Sequence, residues 1–491
     1  MTISFDEIPY DWLKPGTYME IKPTYDRAGK MTYPARTTLF VQQLATGTAT
    51  PKAPYRITRA DQGRGLFGAG SVGQQMVEAY KGANKTGDLY AVGILDAAAG
   101  VAATGTFVFT GTATAAGPLA LYIGKRRIPL AITSGMTAAQ AATAAVATIN
   151  AVTDLPVTAA AVAGTVTLTA RHKGEVGNGI YIGVARQVDD TVPAGLTCAA
   201  TAMAAGATNP VAQELLDVIA SQWFTGIVLP WDDSTNLQAV ASNLAARYNA
   251  MGKLDAHAYV GHRGTFAGLT AKGALTNSPF ISPIGAKGSP SAPWEWAAAL
   301  AGIAEFQLAN DPARQLRGLV LTGIAAPGSA DVMTDTEQDL LLKSGVSTFN
   351  TLTDGTVSID RVVTTYKLST LNVPDRAWLD IMVPKTASRV RYDWQTYVSL
   401  QHPRSKLADD GSRAADADVS GVIVTPKRMK GTWAGRCQKY EEWGWIENSE
   451  DTLTRSTFER NGTDRNRLDA RQPIQIIGNL MVLAGSLEFE V

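Results

Sequence analysis

The run Gly63-Arg64-Gly65-Leu66-Phe67-Gly68 has the G-x-G-x-x-G spacing of a dinucleotide-binding turn, and Gly68-Ala69-Gly70-Ser71-Val72-Gly73 overlaps it. Glycines so spaced let backbone N–H groups approach a pyrophosphate at a helix start, with an acidic residue about 20 positions on for the ribose. A helix over Val72 to Tyr80 would suit that chemistry. The preceding run, Tyr55-Arg56-Ile57-Thr58-Arg59-Ala60-Asp61, is too polar for a buried parallel strand, and Asp88 falls in the turn-like Thr86-Gly87-Asp88. Among 46 glycines such a match arises readily by chance, so the segment reads as a structural turn. An α/β nucleotide-dependent enzyme using the Gly63–Gly73 loop is the alternative reading.

Other reactive groups are sparse. Trp231-Asp232-Asp233 follows a predicted strand, where α/β enzymes often place carboxylates, but Asp233 or Ser234 serves equally as the cap of the next helix. No histidine or second carboxylate cluster in the sequence is placed to share the chemistry. His172, His257, His262 and His402 are dispersed, and His257 and His262 do not form a helical ligand pair. No G-x-S-x-G elbow occurs. Cys198 and Cys437 lack metal-type spacing, which points to a reducing compartment or indifference to redox. The sequence therefore assigns no catalytic residue, no cofactor and no metal.

The elements around these residues have three textures. Leu89 to Leu95, and the chain from Asn209 to about 349, alternate buried strands (Gly226 to Leu229, Ala256 to Val260, Leu319 to Leu321) with helices, which predicts parallel pairing in an α/β layer. Asn209-Pro210 is expected to open one helix, Pro293 an Ala- and Trp-rich one, and Thr334-Asp335-Thr336-Glu337 is a capping box for a helix that Gly345 stops. Residues Ala97 to Gly206 are rich in Ala, Thr and Gly, with alternating runs such as Thr165-Val166-Thr167-Leu168-Thr169 and one helix over Thr137 to Val152; they read as an inserted β domain. From Asn350 on an α+β region is expected, with strands over Thr356 to Ile359 and Arg361 to Tyr366, a long helical stretch broken near Pro384, and a helix opened by Pro426. That last helix is basic early (Lys427, Arg428, Lys430, Arg436, Lys439) and acidic late (Glu441, Glu442), against the helix dipole.

The chain has 491 residues, enough for roughly three domains. Lys+Arg and Asp+Glu are 44 each, so there is no long-range field to gather nucleic acid or an anionic membrane, and little repulsion between copies. The acidic N-terminus is unlike a secretory signal, and no apolar stretch reaches the roughly 18 residues of a membrane span, so a soluble protein made in the cytoplasm is expected. Both ends look like strands awaiting partners. Leu480 to Val491 puts Leu487, Phe489 and Val491 on one face and Ser486, Glu488 and Glu490 on the other; Gly16 to Ile21 shows a weaker version. A strand at a free end offers unspent N–H and C=O groups to another molecule.

Many short blocks then occur in an order that resembles the Mu-like bacteriophage contractile tail sheath family. They include Pro15-Gly16-Thr17-Tyr18-Met19-Glu20, Phe67-Gly68-Ala69-Gly70-Ser71, Ala292-Pro293-Trp294-Glu295-Trp296, Asn310-Asp311-Pro312-Ala313-Arg314, Leu321-Thr322-Gly323-Ile324, Asp354-Gly355-Thr356-Val357, Lys406-Leu407-Ala408-Asp409-Asp410-Gly411, Val424-Thr425-Pro426 and Asp464-Arg465-Asn466-Arg467-Leu468. The resemblance covers nearly everything but the Ala97–Gly206 insertion, and absorbs the glycine-rich segment into a sheath pattern. It departs between Leu468 and Leu480, where Arg471 to Asn479 replaces a proline-rich link.

This resemblance implies a multidomain α/β and α+β body with extended N- and C-terminal strand arms: residues 1–30 an arm, 31–96 with 207–349 the α/β middle domain, 97–206 a β insertion on the outer surface, 350–479 a tube-proximal α+β domain, and 480–491 the second arm. It implies a structural subunit, not an enzyme, that stacks as hexameric rings around a tail tube and contracts to drive the tube through the host envelope. Its implied partners are further copies of itself, the tail tube protein, and baseplate and tail terminator proteins, with no nucleic acid and no membrane insertion. The implied location is the virion, after assembly in the host cytoplasm. The intersubunit arms would use Tyr18, Met19, Glu20, Ile21, Leu483, Leu487, Phe489 and Val491. Lys427, Arg428, Lys430, Arg436 and Lys439 are the expected tube-facing residues.

Overall fold

The computed structural model describes residues 29–489 together with Lys14, Gly16, Thr17 and Met19. β1 (Arg36–Gln42) and β3 (Asp88–Ile94) pair in parallel, and β2 (Pro54–Ile57) lies antiparallel against β3 at the sheet edge. Its proline and Arg56 suit an edge, where no ladder partner is required. Between them run α1 (Gln62–Phe67) and α2 (Val72–Ala83); Ser71 caps α2 by accepting the Gln74 N–H at 3.0 Å.

The chain then leaves the sheet for β4 (Ala102–Gly111), β5 (Gly117–Ile123), β6 (Arg126–Ile132), α3 (Ala138–Ala151), β7 (Val157–Val162), β8 (Thr165–Lys173), β9 (Ile182–Val184) and β10 (Leu196–Ala204). These form two sheets, β10-β4-β8-β7 and β6-β5-β9, and the bridge between Val101 and Ala207 closes their base. Period-two alternation does the sorting: Phe107, Phe109, Val166 and Leu168 are buried, while threonines alternate outward. α3 turns Ala141, Ala142, Ala145 and Ile149 inward, small side chains that let it lie close to the strands.

On return, α4 (Gln213–Val218), β11 (Gly226–Leu229), α5 (Ser234–Tyr248), β12 (His257–Arg263), α6 (Phe266–Gly273), β13 (Ile281–Ala286) and α7 (Pro293–Asn310) complete a six-stranded sheet of order β13-β12-β11-β1-β3-β2, all parallel but β2. The expected helix start at Asn209 is corrected: α4 begins at Gln213. Asn209 instead ties the insertion to α5, accepting from the Val176 N–H and donating to Asp233 at 2.8 Å. α7 is buried nearly all round, as its Ala- and Trp-rich sequence demands, and crosses β12 so tightly that a Cβ at Gly261 would fall on the Pro293 carbonyl.

α8 (Asp335–Lys343) starts with the expected box, in which Thr334 N donates to Glu337 Oε2 at 2.8 Å, and Gly345 ends it at φ +81°. β14 (Thr348–Thr351) and β15 (Val357–Arg361) form a hairpin. Strand structure stops at Arg361 rather than continuing to Tyr366, where the chain makes isolated bridges instead. α9 (Met382–Gln401) is unbroken: Pro384 sits in its first turn, where its missing N–H is not needed, so the residue expected to break a helix helps to start one. α10 (Arg413–Asp416) and α11 (Pro426–Glu442) follow, then α12 (Ser449–Arg455) and short pairings of Ile446–Glu447 with Gln475–Ile476 and Thr457–Arg460 with Leu468–Arg471.

Two apolar cores result. The larger runs from Leu39 through the sheet and insertion to Val362, Ile381 and Met382; the smaller holds Val390, Trp433, Cys437, Tyr440, Trp445 and Ile446. α9 enters both. Near its start Lys385 reaches Glu305 of α7 (2.5 Å) and the Thr225 carbonyl (2.9 Å), while Tyr259 and Thr225 donate to the same carboxylate at 2.7 and 3.0 Å. Further along, Arg391 pairs with Asp255 and donates to the Tyr248 carbonyl at 2.8 Å.

Candidate functional site

The glycine-rich segment is not an open loop. Gly63 and Gly65 lie inside α1, Gly68 ends it at φ +93°, and Phe67 packs onto Gly73 of α2. The strand before it is the antiparallel edge strand β2, so the strand–turn–helix context of a pyrophosphate cradle does not exist. Asp88 is spent on Arg36 (3.3 Å) and Arg56 (2.9 Å). A Cβ at Gly65 meets nothing within 4 Å, whereas one at Gly73 would lie 2.7 Å from Phe67. Gly65→Ala is therefore expected to be neutral or to stabilise by up to about 1 kcal/mol. Gly73→Ala should cost about 1–3 kcal/mol through overpacking. Denaturant midpoints of the two variants check this, and equal losses at both positions would contradict it.

The crevice beyond the carboxyl ends of β1 and β11, where a doubly wound sheet would take a ligand, is filled by side chains. Gln42 and Trp231 are buried there, Trp231 Nε1 donating to Gln42 Oε1 at 3.2 Å, and Gln42 Nε2 donates to Asp96 at 2.7 Å and to the Lys173 carbonyl at 2.6 Å. His172 meets the same Asp96 at 2.7 Å. A cleft of about 410 Å³ remains beside it, lined by Glu175, Tyr181, Asp232, Arg263, Lys272 and Trp294. Asp233 caps α5 through the Asn236 N–H at 3.0 Å.

Asp232 does have a histidine partner, which the sequence did not reveal: His262 Nδ1 stands 3.2 Å away and Lys272 Nζ 3.1 Å. Burial pushes the Asp232 carboxyl up, but the His262 hydrogen bond and charge, with Lys272, outweigh it and hold the group below its ordinary value. A carboxylate already engaged by two donors is a structural anion, a poor base. His257, buried against Ser282 at 2.8 Å, is pushed well down by burial and by Lys385. Burial lifts Cys198 to about 12, and burial with the Glu441 charge lifts Cys437 to about 12, so neither thiol is a nucleophile near neutrality. Among the described residues no group of three His, Cys, Asp or Glu is placed to hold a metal, and no helix is long and apolar enough to cross a membrane.

The terminal segment has a different character. Asn479 is pinned between the Ala313 carbonyl (2.9 Å) and the Gln315 N–H (3.2 Å), Gln315 holds the Leu480 carbonyl, and Met481 packs against the larger core. Residues 482–489 are all exposed and belong to no sheet among the described residues. Leu483, Leu487 and Phe489 are 85%, 96% and 83% exposed. Among the described residues, Asn479 to Met481 thus make the last contacts of this segment with the body. Val491, like Tyr18, Glu20 and Ile21, lies outside the described residues; Met19 is exposed.

The basic helix changes most. Arg436 does not belong to an open face: it is buried, with Nε 2.6 Å and an Nη 2.7 Å from the Asp393 carboxylate of α9. Arg428 donates to Asp418 at 3.0 Å and to the carbonyls of Ile423 and Ala415. The Ile423 amide first, with Ser420, Val422 and Arg428, holds the Asp418 carboxyl down at about 2, so the pair stays ionised throughout the neutral range. Lys439 is neutralised by Glu442 at 2.7 Å. Lys427 and Lys430, toward the helix start, remain without side-chain ion pairs among the described residues. Spacing could show the i,i+3 pair Lys439–Glu442 but not the roles of Arg428 and Arg436, because Asp418 and Asp393 lie outside the helix.

Comparison with known proteins matches this body as a whole. Residues 205–365 match the phage tail sheath protein central domain family. A Mu-like prophage tail sheath protein of Haemophilus influenzae is 30% identical over 489 residues, spanning all of both chains. Among solved structures, the sheath of an extracellular contractile injection system in its contracted state superposes with a TM-score of 0.50 at 11% identity, over 97% of this chain and 98% of that one. A sheath tail protein from Listeria innocua aligns over 92% of this chain and 93% of its own, at 11% identity and a TM-score of 0.48. With full-length identity at that level the chain belongs to the Mu-like bacteriophage tail sheath protein family, structural subunits rather than enzymes.

Proposed function

We propose that this subunit polymerises with copies of itself as stacked hexameric rings around a tail tube, and that the resulting sheath contracts to drive the tube through the host envelope. The observation that carries the reading is the segment 482–489, which leaves the body with four large apolar side chains and its backbone unpaired among the described residues. Such a strand gains by adding to a sheet of a neighbouring copy, with main-chain hydrogen bonds for affinity and alternate side chains for register. Each bond contributes only about 1 kcal/mol net, so strength comes from repetition through a lattice. A sheath solved in a contracted state has the same fold, which supports the contractile part of the proposal. The insertion would lie on the outer surface, baseplate and terminator proteins would bound the sheath, and the assembled particle would be a virion component built in the host cytoplasm. Electron microscopy of purified protein tests the reading: striated hollow cylinders are expected, and monodisperse monomers at high concentration would overturn it.

For the tube-facing surface we propose Lys427 and Lys430, which have no side-chain ion pair among the described residues. Lys427→Glu with Lys430→Glu should reduce assembly on purified tubes and flatten its salt dependence, since exposed charges act within about 8–10 Å at physiological ionic strength. Unchanged assembly at every salt concentration would mean that the face is merely solvated.

A further inference from the structure

The irregular segment just before β1 is held in an unusual way. Main-chain groups of Gly29, Met31 and Thr32 go to side chains of α9 and α11. The Met31 N–H donates to Asp393 Oδ2 at 3.1 Å, Tyr392 donates to the Thr32 carbonyl at 2.9 Å, and Arg436 reaches the Gly29 carbonyl at 3.3 Å. Lys30 Nζ stands 5.4 Å from the Trp445 ring and 5.5 Å from that of Trp443, within cation–π range. Tyr33 packs edge-on against Trp223 and Tyr392, with the Arg389 guanidinium 4.4 Å above it. At the centre, the fully buried Asp393 carboxylate accepts from Met31, Arg436 and Tyr440.

We infer that Asp393, with Arg436, Tyr392 and Lys30, forms a clamp that fixes where residues 1–28 leave the body, and that these are positioning residues for assembly rather than core residues alone. The inference rests on the reading of those residues as an intersubunit arm. The two arm roots are then held by different cores: the C-terminal root by the segment after α7, and the N-terminal root by α9 and α11 beside the smaller core. A fixed root narrows the volume the arm samples and so raises its effective concentration at an acceptor on a neighbouring copy, the usual gain from preorganisation. Pull on the arm would also be delivered to α9, the helix that joins the two cores.

Three forms of the full chain test this. Asp393→Asn keeps the shape and removes the charge, Lys30→Ala with Tyr392→Phe loosens the clamp without touching the buried ion pair, and deletion of residues 1–28 reports on the arm itself. The readouts are amide exchange at residues 31–33, the thermal midpoint of the unassembled subunit, and the critical concentration for sheath formation. For the double variant the exchange rate and the critical concentration should each rise about 10-fold, equivalent to about 1.4 kcal/mol, with an unchanged thermal midpoint. Normal assembly of the double variant, when the deletion abolishes assembly, overturns the clamp alone. Exchange that does not rise overturns it too. Normal assembly of the deletion overturns the arm reading on which it rests.

Discussion

Removing residues 482–491 is expected to leave a folded subunit that does not polymerise. The body loses little, because residues 482–489 are exposed and, among the described residues, the last contacts to it are made by Asn479, Leu480 and Met481, which the truncation keeps. Changes at exposed positions away from caps and cores usually stay within about 0.5 kcal/mol, so the thermal midpoint of the monomer should hardly move. The lattice loses much more. Burying side chains such as Leu487 and Phe489 contributes about 1.5–3 kcal/mol each, and a strand added along one edge brings several hydrogen bonds of about 1 kcal/mol. A net loss of even 4 kcal/mol per contact raises the critical concentration about 1,000-fold. Sedimentation and negative-stain microscopy of the truncated chain check this. Sheaths of normal length would show that the exposed segment is not the connector.

Lys385→Met should be among the most destabilising single changes in the body. Lys385 and Glu305 are both nearly buried, and the Glu305 carboxylate also takes the hydroxyls of Tyr259 and Thr225. Removing the ammonium leaves that carboxylate in a low-dielectric site with neutral donors only, and losing one member of a buried pair costs about 3–5 kcal/mol. The cost reflects the stranded charge, not the strength of the pair, so Lys385→Met combined with Glu305→Gln should recover a large part of it. Urea unfolding of the two variants decides the matter. A single variant within 1 kcal/mol of the parent, or a double variant no better than the single, would mean that α9 is held to the sheet by packing alone.

The histidines and glycines show where sequence reasoning could and could not reach. That Gly63 to Gly68 is structural was legible from the polar run before it, since an edge strand with Arg56 cannot open a nucleotide fold. That Asp233 caps a helix was legible from its place before Ser234 and the apolar spacing of Leu237, Val240 and Leu244. The partnership of Asp232 with His262 was not, because it joins the ends of adjacent parallel strands across α5, and parallel pairing brings together residues about 30 apart with no local signature. Arg436 was misplaced for the same reason: a helix read alone shows a basic stripe, and only the packing of α11 on α9 puts Asp393 beneath one member of it. Pro384 misled in the other direction, because a proline signals a helix start as readily as a break, and the deciding fact is where the preceding chain turns.

By itself the sequence determined the kind of elements, the inserted β region and the parallel sheet, because each is written in composition or in periodicities of two and 3.6 residues. The tertiary structure decided which charges are available and where the chain is anchored. It buried Arg436, tied Arg428 and Lys439 to acids of their own subunit, filled the crevice at Gln42 and Trp231, and held Asn479 and Leu480 against Ala313 and Gln315. The physical reason is that a charge or a backbone group is free only when no partner reaches it, and, the local pair Lys439–Glu442 apart, those partners are brought within about 3 Å by the folding together of separate segments, which sequence pattern does not encode.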